Sequence, residues 1–261
     1  MTTRTLPPDF SLRKRLAAGP RMRGVFNALP SPAIIEMCGY AGFDFVIIDN
    51  EHGSADYGTT EHMLRAARAS GITPVVRCFE RDLPRLLDMG VGAVQIPMVE
   101  SVEQARRLAA AVRYPPLGTR GCAFSPRAAG YGAFGGSTHV ERSNAGIALV
   151  AMVETPLGVA NARAIASVEG VDGVFVGPND LSHVMGHGGD WQAPEVREAI
   201  ESALAGIVDA GKCAGIVALT PEEEDRYAAL GARYFANVTT SLITRAFREA
   251  ATGKTQHARY S

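Results

Sequence analysis

The sequence predicts an α/β protein, a single (β/α)₈ barrel, on three observations. Eight short apolar runs alternate with longer segments of helical period, the chain has 261 residues, and it contains no glycine fingerprint of a dinucleotide-binding sheet. The runs at 22–29, 43–49, 73–78 and 92–97 are the first four strands, and those at 148–154, 172–177, 213–218 and 233–238 the second four. Most are continuously apolar and not alternating, as expected of strands covered on both faces. Between them, 61–70, 102–113 and 194–211 read as amphipathic helices. In the last of these Val196, Ile200, Leu204 and Ile207 recur at helical spacing. Gly42, Gly71, Gly90, Gly170, Gly211 and Gly231 each follow a helical pattern, where a left-handed C-cap belongs. The 118–146 stretch is glycine-rich and shows no helical period. It is expected to be a long loop, part of which covers the barrel mouth. No repeat or linker divides the chain, so 1–261 reads as one domain with a core over about 20–250.

Composition removes several function classes. A formal net charge of −1 leaves no basic excess for nucleic acid, and no apolar run approaches the length of a bilayer span. The N-terminal sixteen residues lack the apolar core of a secretory signal. Cys38, Cys78, Cys122 and Cys213 are scattered without a CxxC pair, which points to a reducing cytoplasm and away from structural zinc.

In a barrel of this type chemistry sits at the C-terminal ends of the strands. Those ends carry Asp49-Asn50-Glu51-His52 after strand two, Arg77 at strand three, Gln95 on strand four, Glu154 after strand five and Asn179-Asp180 after strand six. Glu51 reads as a solvated turn residue and Asp180 equally well as a helix cap. Glu154 and Asp180 together suit a hard divalent cation completed by water or substrate oxygens, which in turn suits a 2-oxo acid. Arg77 is placed to steady a developing oxyanion, and His52, oriented by Asp49, to relay a proton. The chain has three lysines against 23 arginines, and Lys14, Lys212 and Lys254 all lie away from the strand C-termini, so a Schiff-base mechanism lacks its nucleophile. Arg120 and Arg127 are candidates to bind an acidic end of an acceptor aldehyde, or to form surface salt bridges. His62 reads as an exposed helical residue, and His183 and His187 as loop residues near the site. His139 and His257 have no context, Cys78 reads as a core or wall residue, and Trp191 is undecided.

The blocks GFDFVIIDNEHG (42–53), VQIPMVESVEQARRLAAAVRYPPLGTRG (94–121) and VEGVDGVFVGPNDLS (168–182) resemble the HpcH/HpaI aldolase family over residues 20–250. The resemblance implies a metal-dependent pyruvate aldolase. Glu154 and Asp180 would hold Mg²⁺, Mn²⁺ or Co²⁺, and His52 with Asp49 would act as the acid/base element. Arg77 would contact the oxo-acid oxygens, and the backbone at Asn179 and Asp180 would hold the carboxylate. The substrates would be a small 2-oxo acid and an aldehyde. The assembly would be a homo-oligomer, a hexamer or trimer of dimers, built through an exchanged C-terminal helix. One departure stands out: Met152 occupies the place, two residues before the metal glutamate, where the heptanedioate aldolases have Gln. ETPLGVANARAI (154–165) is also similar to citrate-lyase β and malyl-CoA lyase relatives, so a CoA-ester lyase is the alternative, and a catalytically silent barrel a weaker one.

Overall fold

A computed structural model describes residues 9–253; Lys254 and His257 lie outside them. The elements follow in the order α1 (Ser11–Ala18), β1 (Met22–Asn27), α2 (Pro32–Tyr40), β2 (Phe45–Asp49), α3 (Tyr57–Ser70), β3 (Thr73–Arg77), α4 (Leu83–Asp88), β4 (Ala93–Ile96), α5 (Val102–Ala111), α6 (Ser137–Gly146), β5 (Ala148–Val153), α7 (Pro156–Ala160), α8 (Ala162–Ala166), β6 (Gly173–Val176), α9 (Pro178–Val184), α10 (Pro194–Asp209), β7 (Cys213–Val217), α11 (Pro221–Ala229), β8 (Tyr234–Val238) and α12 (Thr239–Ala251). All eight strands are parallel, each pairs with its sequence neighbour, and β8 closes onto β1 with Met22 opposite Tyr234. Every predicted strand is present within two residues of its predicted ends, and the six predicted cap glycines all have positive φ.

Two apolar layers hold the barrel. The outer one lies between sheet and helices, where Val46, Ile48, Val76 and Val94 on the strands meet Met63, Leu64, Leu86, Leu108, Ile200 and Leu204. The inner one fills the barrel. Phe45 stacks on Tyr234 with centroids 4.2 Å apart, and Phe175 meets Tyr234 and Phe26 edge-on at 5.8 and 5.6 Å. Such large side chains need small neighbours: a Cβ on Gly24 would lie 2.4 Å from the Phe45 ring, and one on Gly215 2.6 Å from Tyr234. Helix α1 closes the N-terminal end with Leu12 and Leu16, both inside this inner core. The barrel is thus solid below and opens at the strand C-termini.

The 118–146 expectation requires correction. The segment contains a 3₁₀ turn at Arg127–Ala129 and the ten-residue helix α6, and none of it lines the barrel mouth. Its helical period is hidden because α6 buries polar residues, His139, Ser143 and Asn144. Asn144 Nδ2 donates to the Tyr114 carbonyl while Tyr114 N–H donates to Asn144 Oδ1, and Tyr114 Oη lies 3.2 Å from His139 Nε2. A face made of satisfied polar groups carries no hydrophobic signature. Among the described residues no helix is long and apolar enough to cross a membrane, and all four cysteines are free.

Candidate active site

The mouth of the barrel holds a cavity of about 380 Å³. Its polar wall collects Asp49 and His52 from the β2 end, Arg77 from β3, Glu154 from β5, and Asn179 and Asp180 from the first turn of α9. The residues read in the sequence as metal-binding, acid/base or oxo-acid-binding therefore line one space, while the acceptor candidates Arg120 and Arg127 do not. The strand register explains why: Asp49 and Arg77 are paired positions on β2 and β3, and both end their strands.

Arg77 is the centre of the cluster. Its Nε donates to Asp49 Oδ1 at 2.9 Å and its Nη2 to Asp49 Oδ2 at 2.6 Å, a bidentate pair of which less than a tenth is exposed. Its Nη1 lies 3.1 Å from Glu51 Oε2, and the guanidinium sits 4.8 Å over the Phe26 ring. Glu51 is thus not a solvated turn residue. It folds back onto the cation with only 10% of its side chain exposed, and burial raises its pKa against the opposing pull of Arg77. The alternation of turn residues gave no sign of this, because the contact depends on how the β2–α3 turn closes over β3. Opposed by burial, the Asp49 hydrogen bonds and charge still raise the Arg77 pKa, so the guanidinium is permanently charged.

The expected orientation of His52 by Asp49 is corrected. Asp49 Oδ1 accepts from the backbone N–H groups of Glu51 (3.1 Å) and His52 (3.2 Å), and its remaining capacity goes to Arg77. Asp49 organises the turn and the arginine, and the imidazole of His52 stands exposed at the mouth. The turn is tight enough that a Cβ on Gly53 would lie 2.1 Å from the Asp49 carbonyl oxygen.

Glu154, 2% exposed, accepts at Oε1 from the backbone N–H of Met98 at 2.7 Å. Met98 holds a left-handed backbone at φ 55°, uncommon for a side chain of its size, and that geometry delivers the N–H. Burial pushes the Glu154 carboxyl up to about 7, with Glu51 and Asp180 adding repulsion and the Met98 N–H opposing. Oε2 faces Gly177, where a Cβ would lie only 2.6 Å away. Asp180 is the third residue of α9, and its side chain makes no capping bond. Pro178 opens that helix, leaving the first-turn N–H groups of Asn179 and Asp180 without intrahelical acceptors.

Four carboxylates, Asp49, Glu51, Glu154 and Asp180, therefore cluster with one guanidinium, which pairs directly with Asp49 and Glu51. The donor set fits a hard divalent cation: two carboxylates, an oxygen in a cradle that only glycine keeps open, and a buried carboxyl whose pKa is raised by burial and, secondarily, by the neighbouring Glu51 and Asp180. Among the described residues no group of three His, Cys, Asp or Glu converges as ligands, so Glu154 and Asp180 would share the ion with water or substrate oxygens.

The other wall is apolar, built from Met152, Trp191, Val217, Leu219 and Val238 with Ser241 beside them. Met152 places a thioether on the cavity floor. Trp191, which the sequence left undecided, reaches the cavity from the segment between α9 and α10. Arg120 and Arg127 do not reach it: Arg120 pairs with Asp88 at 3.1 Å and lies over Tyr114, and Arg127 donates to the Met89 carbonyl. Cys78 is fully buried, and burial pushes its thiol far up. Lys212 donates to the Val171 carbonyl at the opposite end of the barrel, and Lys14 belongs to α1. His62 is exposed on α3; His183 Nδ1 lies 3.0 Å from the Asn179 carbonyl, and His187 3.9 Å from Glu195.

The model of the HpcH/HpaI aldolase/citrate lyase family matches residues 22–243. The chain belongs to this family. A hydroxypyruvate/pyruvate aldolase of Deinococcus radiodurans is 41% identical over 93% of this chain and 88% of its own length. A 5-keto-4-deoxy-D-glucarate aldolase of Salmonella arizonae is 40% identical over 90% and 92%. A solved HpcH/HpaI-family structure from Burkholderia cenocepacia superposes with a TM-score of 0.88 at 33% identity, covering 93% of this chain and 98% of that one. As an HpcH/HpaI member with aldolase relatives over nearly its whole length, the chain is a carbon–carbon lyase.

Proposed function

We propose that this lyase is a divalent-metal-dependent aldolase that cleaves a 4-hydroxy-2-oxo acid to pyruvate, or hydroxypyruvate, and an aldehyde. The observation that carries the reading is the carboxylate cluster around Arg77 at the barrel mouth, with Glu154 held at a raised pKa beside the open Gly177 cradle and no lysine among the described residues lining the cavity. When bound by Glu154 and Asp180, a Mg²⁺, Mn²⁺ or Co²⁺ ion supplies a Lewis acid toward the oxygens of a 2-oxo acid. The protein does the rest. The Asn179 and Asp180 N–H groups hold the substrate carboxylate at the start of α9. Arg77, its inner edge locked to Asp49 and Glu51, turns its remaining N–H groups toward charge developing on the substrate oxygen. His52, exposed and free of Asp49, takes the C4 hydroxyl proton directly or through a water, the C3–C4 bond breaks, and the enolate is protonated at C3. Phe26, Phe175 and Met152 form the floor that keeps bulk water from it.

The test is deuterium incorporation into the pyruvate methyl group in D₂O, followed by NMR with Mn²⁺, with Mg²⁺ and with EDTA. Metal-dependent exchange that vanishes in Glu154→Ala and Asp180→Ala supports the reading. Exchange undiminished in EDTA refutes it, and turnover of malyl-CoA without exchange on pyruvate replaces it with a CoA-ester lyase.

The same proposal includes a homo-oligomer, a hexamer or trimer of dimers built on α12, supported by that helix leaving Phe247 70% exposed. Light scattering on chains with and without residues 239–261 tests it. Cytoplasmic residence is supported by the free state of all four cysteines.

A further inference from the structure

Gln95 is a buried amide with half of its bonding capacity unspent. It lies on β4 with no exposed surface, paired in register with Arg77 on β3 and with Val150 on β5. Tyr234, whose phenol burial keeps protonated, donates from Oη to Gln95 Oε1 at 3.4 Å, so the side chain points into the barrel. That bond tells the two ends of the amide apart: the oxygen is taken, and Nε2 has no hydrogen-bond partner among the described residues. A donor left unmade in a core costs stability, so its retention calls for a partner that arrives later. Arg77, its neighbour in register, is also purely a donor. A guanidinium and an amide side by side on β3 and β4 are jointly satisfied by an oxygen-rich anion.

The floor of the cavity separates Nε2 from such a ligand. Phe26 and Phe175 are held edge-on to each other at 5.6 Å. Met152, the next inward residue of β5 beyond Val150, completes the floor with an unbranched thioether that can change rotamer where the rings cannot. We propose, resting on the aldolase reading above, that Gln95 is a further substrate-binding residue: Met152 swings aside when a 2-oxo acid binds, and Gln95 Nε2 donates beside Arg77 to an oxygen of that acid. The amide adds a donor without adding charge, and Tyr234 fixes which end of it meets the ligand.

The experiment compares the wild type with Gln95→Leu/Tyr234→Phe, which replaces both polar partners by apolar side chains of similar shape and leaves neither orphaned. It reads the urea midpoint of the metal-free protein, Mg²⁺ affinity, the affinity of the Mg²⁺-loaded protein for oxalate (a planar mimic of the pyruvate enolate), and kcat/KM for pyruvate methyl exchange. The midpoint should be unchanged or higher, and Mg²⁺ affinity within about threefold. Oxalate affinity and kcat/KM should fall about 10–100-fold, the worth of one N–H donor on a charged oxygen. In the wild type the Met152 methyl resonance, assigned by its loss in Met152→Leu, should shift when oxalate is added. Parental oxalate affinity and exchange in the double variant overturn the inference. A loss matched by a fall in the urea midpoint or in Mg²⁺ affinity also overturns it, as does a Met152 methyl that ignores oxalate. If the double variant does not fold, Gln95→Met, an unbranched side chain of similar length, is held to the same outcomes. A wild type without metal-dependent exchange strikes the aldolase reading itself, whereas an active wild type with an equally active variant strikes only the role of Gln95.

Discussion

Replacing Asp49 by Asn tests the idea that the site is organised around a buried ion pair between Asp49 and Arg77 that Glu51 replaces only in part. The change keeps the shape of the side chain and an oxygen for the Glu51 and His52 N–H groups, but removes the charge opposite Arg77. Breaking one partner of a buried pair costs about 3–5 kcal/mol, because the remaining charge stays desolvated. Glu51, 3.1 Å from the other side of the guanidinium, moderates the loss, so the low end of that range, about 3 kcal/mol, is expected. Against a total stability of about 5–15 kcal/mol, this is measurable without abolishing folding. Urea unfolding should show a lower midpoint at unchanged m-value, and thermal unfolding a drop of about 6–12 °C. Asp49→Asn/Glu51→Gln should lose more than the sum of the two single variants, since each carboxylate backs up the other. A loss below about 1 kcal/mol in Asp49→Asn, or strict additivity in the pair, would refute the argument.

Three further outcomes follow from particular contacts. Gly177→Ala puts a methyl 2.6 Å from Glu154 Oε2, and isothermal titration with Mn²⁺ should show affinity falling at least about tenfold; unchanged affinity would move the cation site elsewhere. His52→Ala should slow pyruvate methyl exchange by about 10²–10⁴-fold while leaving Mn²⁺ affinity within about threefold, and exchange at the parental rate would remove His52 from the proton route. His139, packed between Tyr114 and Phe124, has its pKa lowered by burial and then by Arg120 and Arg142. The unfolded chain therefore takes up this proton first: the contribution of His139 is complete above about pH 6.5 and is lost as pH falls from there through the lower folded value, at up to about 1.4 kcal/mol per pH unit. Urea midpoints between pH 7 and pH 5 should fall less steeply in His139→Gln, and parallel curves would contradict the assignment.

Much of the fold was legible in the chain because two strong signals agree with it. Strands covered on both faces must be apolar throughout, and a helix leaving for the next strand ends on a residue free to turn left-handed, so FVIID, TPVVR and ALVAMV, with Gly71, Gly170 and Gly231, mark their own places. Helix α6 was hidden because its buried face is polar, and hydrogen bonds across 30 residues to Tyr114 are invisible to a periodicity count. The candidate site was legible in membership and not in partnership. A closed parallel barrel sends every strand C-terminus to one rim, so Asp49, His52, Arg77, Glu154, Asn179 and Asp180 had to share a mouth once eight strands were counted.

Which of those groups touch was settled by tertiary structure. The β2–β3 register sets Asp49 opposite Arg77 and draws Glu51 onto the same cation, which takes Asp49 away from the His52 imidazole. A left-handed Met98 turns its N–H onto Glu154, and Gly177 leaves the other carboxylate oxygen open. Val217, Leu219, Val238 and Trp191 come from three separate stretches of chain, and nothing local distinguishes them from ordinary core residues. The sequence by itself determined the barrel and the inventory of its rim, because burial and strand polarity act through local pattern. Hydrogen-bond partners, shifted carboxyl pKa values and the apolar cavity wall were decided only by the folded structure, because they depend on ångström-scale distances between residues far apart in the chain.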